Sequence, residues 1–123
     1  MADLNITSVS LTQGGGAVAN ITHSTVFSVD VSVTALAEDF NEGVAYSLYI
    51  FVTSLVNGGL AVPLINRQGH LQDPSWPTPN FTFNVPVTAG PTTDVYNITL
   101  VLLEGPTGAG GISFASGGPL FVL

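Results

Sequence analysis

The segment Phe27-Ser28-Val29-Asp30-Val31-Ser32-Val33-Thr34-Ala35 alternates without a break between apolar odd and polar even positions. Only an extended chain puts successive side chains on opposite faces, so this segment reads as a strand with one face in a core and one in water. Val44 to Val56 continues the theme, with Tyr46, Leu48, Ile50 and Val52 on one face. Its other face carries Ala45, Ser47, Tyr49, Phe51 and Thr53 and is only partly polar. Phe81, Phe83 and Val85 alternate again, as do Tyr96, Ile98, Leu100 and Leu102. In the opening run, Leu4 and Ile6 share one phase while Val9 and Leu11 take the other, which predicts a bulge near Thr7-Ser8 or a switch between sheets.

Shorter apolar runs at Leu60 to Ile65, Ile112 to Phe114 and Leu120 to Leu123 bring the total to about seven or eight strands. Gly14-Gly15-Gly16, Asn57-Gly58-Gly59, Gly90-Pro91, Gly105-Pro106 and Gly117-Gly118-Pro119 fall between the runs, where turns need positive or fixed φ. Asn57-Gly58 is the strongest hairpin signal, and only Leu36 to Asn41 hints at a helical turn. With no helix long enough for parallel crossovers, the pattern predicts an all-β fold. It is an antiparallel β-sandwich formed by a single domain over residues 1–123.

Composition narrows the chemistry. Apolar residues make up 46% and charged residues 7% of the 123-residue chain, against about 25% charged in an ordinary soluble domain. That combination excludes disorder, and the longest apolar stretch is too interrupted for membrane insertion. Arg67 is the only basic residue against eight acids, a net charge of −7. Such a surface cannot neutralise phosphates, which excludes nucleic acid and disfavours anionic membranes. Without Cys there are no disulfides, thiolate metal sites or Cys nucleophiles. Met1-Ala2-Asp3 leads straight into a strand-like run, so no signal peptide is expected in this chain.

The segment Thr92-Thr93-Asp94-Val95-Tyr96-Asn97-Ile98-Thr99-Leu100 resembles strand F of immunoglobulin-like and fibronectin type III-like sandwiches. In those folds a tyrosine entering the strand bonds its hydroxyl back to the preceding corner, and the resemblance implies that role for Tyr96. The likeness covers about ten residues. The chain lacks the paired cysteines of true immunoglobulin domains and the early Trp of fibronectin type III, and no function transfers with the fold.

The candidate binding site is the polar stretch Asn66, Arg67, Gln68, His70, Gln72, Asp73 and Trp76, within a connection expected to run from Asn66 to Pro79. It holds the only Arg and the only Trp, and long loops are often functional. A Trp beside amides and a carboxylate is a sugar platform in outline; alternatively Trp76 caps one end of the sandwich while Arg67 pairs with Asp73. Glu38-Asp39-Phe40-Asn41-Glu42 has oxygens at short spacing but not the ordered alternation of a calcium loop, and reads as a solvated turn. His23 and His70 lack metal-ligand spacing, so no metal and no cofactor is expected. Neither GxSxG, P-loop nor GxGxxG occurs, and the acids Asp3, Asp30, Asp94 and Glu104 are scattered, so no catalytic residues are assigned. Asn5, Asn20, Asn80 and Asn97 begin Asn-x-Thr sequons, a pattern that alternation alone also produces.

Strand edges with almost no Lys or Arg lack the usual guard against pairing, and the apolar end Gly117 to Leu123 must dock or reach a neighbour. The sequence therefore predicts a non-enzymatic structural or attachment module that self-assembles on a virion or extracellular surface, with copies of itself or other protein subunits as partners. The alternative is a carbohydrate-binding module that takes a glycan on the 66–76 segment.

Overall fold

A computed structural model of the chain describes residues 4–105 and 111–123. Met1-Ala2-Asp3, Pro106 of the expected Gly105-Pro106 turn, and Gly108-Ala109-Gly110 lie outside the described residues. The elements are β1 (Leu4–Gln13), β2 (Gly16–Ala17), β3 (Asn20–Ile21), β4 (Val26–Ala35), α1 (Ala37–Glu42), β5 (Ala45–Ser54), β6 (Ile65–His70), β7 (Asn80–Thr88), β8 (Asp94–Glu104) and β9 (Ile112–Val122). They form a four-stranded sheet ordered β2-β1-β4-β7 and a five-stranded sheet ordered β3-β9-β8-β5-β6.

The two sheets share one core. The odd positions of β4, from Phe27 to Ala35, are buried, and so are Phe83, Val85 and Val87 of β7. Opposite them lie Tyr46, Leu48, Ile50 and Val52 of β5 and Tyr96, Ile98, Leu100 and Leu102 of β8, all almost fully enclosed. Alternation in the sequence thus corresponds to the inner faces of β4, β5, β7 and β8. In β1 the pairing with β4 slips between Ile6 and Ser8, leaving Thr7 as the extra residue. Its hydroxyl donates to the Ser32 carbonyl (3.1 Å), and the slip returns Leu11 to the core after Leu4. The bulge falls where the change of phase predicts it.

Three expectations change. The sheets are not wholly antiparallel, because β3 runs parallel to β9, with Asn20 opposite Phe121 and Ile21 opposite Val122. Gly117-Gly118-Pro119 is not a turn: β9 runs through it as one strand, past a register shift against Tyr96 and Ile98. A Cβ on Gly117 would lie 3.1 Å from Val9 Cγ1, and one on Gly118 2.9 Å from the Tyr96 carbonyl oxygen. Glycine serves close approach here, not reversal. Leu60 to Ile65 is mostly loop, touching β5 at an isolated bridge between Thr53 and Leu60. The reversal at Asn57-Gly58 is a four-residue loop, closed by Ser54 N–H to Gly59 O and Gly58 N–H to Ser54 O.

The apolar C-terminus is docked. Leu120 and Val122 are buried, Leu123 N–H donates to Ile21 O (2.8 Å), and His23 N–H donates to Leu123 O (2.9 Å). Among the described residues no helix is long and apolar enough to cross a membrane.

Candidate functional site

The seven candidate residues do not form one loop. Ile65–His70 is a strand, β6, paired antiparallel with β5 at the rim of the five-stranded sheet, so the connection to β7 shortens to 71–79. Asn66, Gln68 and His70 stand opposite Tyr49, Ser47 and Ala45, on the sheet's outer phase, and are exposed. Arg67 stands opposite Leu48 and is also exposed. A rim strand is paired on one side only and can stay polar at every position, which removes the alternation that marks buried strands.

The remaining three residues build the turn after β6. Trp76 is completely buried, edge-on to Tyr46 at 5.1 Å and to Phe83 at 5.7 Å between ring centroids, so it bridges the two sheets at one end of the core. Its indole N–H is directed at the Pro79 carbonyl at 3.4 Å. A ring in that position has no face to offer a sugar, and the platform expectation is corrected to the capping one. Gln72 takes a left-handed φ of 75°, and its amide donates to the Phe40 and Asn41 carbonyls (2.6 and 2.9 Å). It shares the Phe40 carbonyl with the Gly43 N–H and satisfies the Asn41 carbonyl at the end of α1. Gly43 ends that helix with φ 65°.

Asp73 does not pair with Arg67. One carboxylate oxygen accepts the His70 N–H (2.9 Å) and the other the Ser75 N–H (2.7 Å) together with the Ser75 hydroxyl. The Tyr46 hydroxyl in turn donates to Ser75 Oγ. A relay Tyr46–Ser75–Asp73 therefore ties β5 to the turn. Gly69 leaves room for it: a Cβ there would lie 2.5 Å from Ser75 Oγ, 2.9 Å from Asp73 Oδ2 and 3.1 Å from the Tyr46 hydroxyl. Sequence reasoning missed Tyr46, Gly69 and Ser75. The Asp-Pro-Ser spacing that lets a carboxylate accept from the N–H two residues on was their only local signal.

The bonds set the electrostatics. The His70 N–H, then the Ser75 hydroxyl, hold the Asp73 carboxyl down at about 2. Burial pushes the Tyr46 phenol above its ordinary value, and the nearby Asp73 charge adds to that against the opposing bond to Ser75. The depressed carboxylate contributes stability that is present above its unfolded value near 3.8 and lost as pH falls through about 2. The raised phenol acts on the other limb, its contribution being complete below 10.0 and lost as pH rises beyond it. The Asp73 shift belongs to structural hydrogen bonds and the Tyr46 shift to burial in the core.

Between β5 and β6 lies an open depression of about 280 Å³, lined by Ala45, Tyr46, Ser47, Gln68, Gly69 and His70. Among the described residues no three His, Asp or Glu side chains gather as metal ligands would. Comparison with protein-family models gives no match, and neither does comparison with curated proteins.

At the opposite corner, the Tyr96 hydroxyl accepts the Gly90 N–H at 2.9 Å. The expected bond back to the preceding corner is there, with the hydroxyl as acceptor. Asp94 fastens the same corner, taking the Ser54 hydroxyl (2.7 and 2.9 Å) and the Val95 N–H (2.7 Å).

Proposed function

We propose that this chain is a non-enzymatic structural or attachment module, an immunoglobulin-like sandwich that self-assembles on a virion or extracellular surface. The observation that carries the reading is the use of polar groups in the 66–76 segment. Asp73, Ser75 and Gln72 bond to one another, to Tyr46 or to backbone, and Trp76 is core, so the turn half of the candidate stretch is committed to holding the fold. The immunoglobulin-like assignment draws support from strand neighbours. Among the longer strands the first, second and fifth (β1, β4, β7) form one sheet, and the seventh, sixth, third and fourth (β9, β8, β5, β6) the other. The Tyr96 to Gly90 bond is a second support.

Self-assembly draws on the surface. The outer strands β6 and β7 carry Arg67 and Pro86 as their only guards against pairing. Size-exclusion chromatography with light scattering tests this: assemblies that grow with concentration are expected, and a clean monomer at high concentration overturns the reading. A glycan-binding reading is favoured by one observation, the depression beside the free side chains of Gln68 and His70. It predicts glycan-array binding that Gln68→Ala weakens.

A further inference from the structure

The outer face of the five-stranded sheet carries an apolar patch where the outer face of a sandwich is ordinarily polar. Register places Tyr49, Val101 and Phe114 side by side across β5, β8 and β9, with Leu103 and Ile112 paired in the neighbouring row and Phe51 next to Tyr49 along β5. Phe114 is 68% exposed and Ile112 46%. We infer that this face is where two copies of the chain meet, an inference that rests on the self-assembly reading and gives it a surface.

Charge and size argue for a second copy. All seven acids among the described residues lie elsewhere: Asp30 on the other sheet's outer face, Glu38, Asp39 and Glu42 on α1, Asp73 in the turn after β6, and Asp94 and Glu104 on the inward phase of β8. A cationic protein or surface would be drawn to those carboxylates and away from this face. Two copies each carrying −7 repel in most orientations, and meeting through the uncharged face keeps their carboxylates on the far sides. From strand spacing and rise, β6, β5, β8 and β9 together span roughly 20 Å by 27 Å. That footprint is close to the ~600 Å² per partner at which specific interfaces begin. A two-fold pairing sets the same patch against itself, with Asn66 and Gln68 on one side and Thr99 and Ser116 at one end as a polar rim.

Sedimentation velocity on the full chain, from low micromolar to near-millimolar concentration, is the test. The wild type is expected to dimerise. Phe114→Glu and Ile112→Glu change exposed side chains and are expected to fold, as circular dichroism would verify, and to weaken association at least tenfold. Thr82→Glu, on the outer face of the other sheet, is expected to leave association unchanged. A wild type that stays monomeric overturns both this inference and the self-assembly reading. A wild type that assembles while both Glu variants assemble equally well overturns this face alone and leaves self-assembly standing.

Discussion

On the four-stranded sheet the outward positions of β4 are Ser28, Asp30, Ser32 and Thr34, and those of β7 are Asn80, Thr82, Asn84, Pro86 and Thr88. On the five-stranded sheet the outward positions of β8 are Val95, Asn97, Thr99, Val101 and Leu103, and they face Phe121, Ser116, Phe114 and Ile112 on β9. The inner faces of the two sheets are alike, and the outer faces differ. On the first, hydroxyls and amides bond across strands, as in Ser32 to Thr82 (3.1 Å) and Thr34 to Asn80 (2.6 Å). On the second, aromatic and branched side chains stand in water. Burial alone dictates the inner faces, while an outer face is free to record what the molecule meets.

The largest effect is expected from reversing inside and outside on the polar sheet. Val31→Asp puts an unpaired charge at a fully buried position between Val9 and Phe83 and should abolish folding by circular dichroism. Ser32→Asp, one residue along on the outer face, should shift stability by no more than about 0.5 kcal/mol in denaturant titration. A stable Val31→Asp beside an unfolded Ser32→Asp would mean that the faces are reversed.

Smaller losses should come from the two tyrosine bonds of the five-stranded sheet. Tyr96→Phe leaves the Gly90 N–H without its acceptor and should destabilise by about 1–3 kcal/mol. Gly69→Ala drives a methyl into Ser75 and Asp73 and should also lower stability by about 1–3 kcal/mol. Either variant at wild-type stability would remove the corresponding bond from the account. The subtlest effect concerns acid. Asp73 should titrate near 2 by NMR, and Asp73→Asn should remove the part of the acid-induced loss that occurs as pH falls from about 4 towards that value. A midpoint near 3.8 would mean that the His70 and Ser75 bonds do not form.

Inner faces were the most legible part of the sequence. The phases of β4, β5, β7 and β8, the bulge at Thr7 and the Tyr96 corner all follow from alternation or from one local motif, since burial forces apolar residues to recur at period two. β6 was hidden because Asn66, Arg67 and Gln68 sit at a rim, paired on one side and exposed to solvent. Trp76 misled for a related reason: its neighbours Asp73, Pro74 and Ser75 are polar or turn-forming, yet the turn they make folds the indole under Tyr46 and Phe83. The mixed face of β5 was visible, but its continuation through Val101 and Phe114 needed the register between strands.

Hydroxyl-radical footprinting across a concentration series tests the central claim most directly, that the apolar outer face is an interface and the polar one is not. Oxidation of Phe114 should fall as protein concentration rises, while that of Val56, equally open at 65% exposure in the β5–β6 loop, stays constant. Unchanged labelling of Phe114 in a sample that has assembled, or protection confined to the four-stranded sheet, would contradict it.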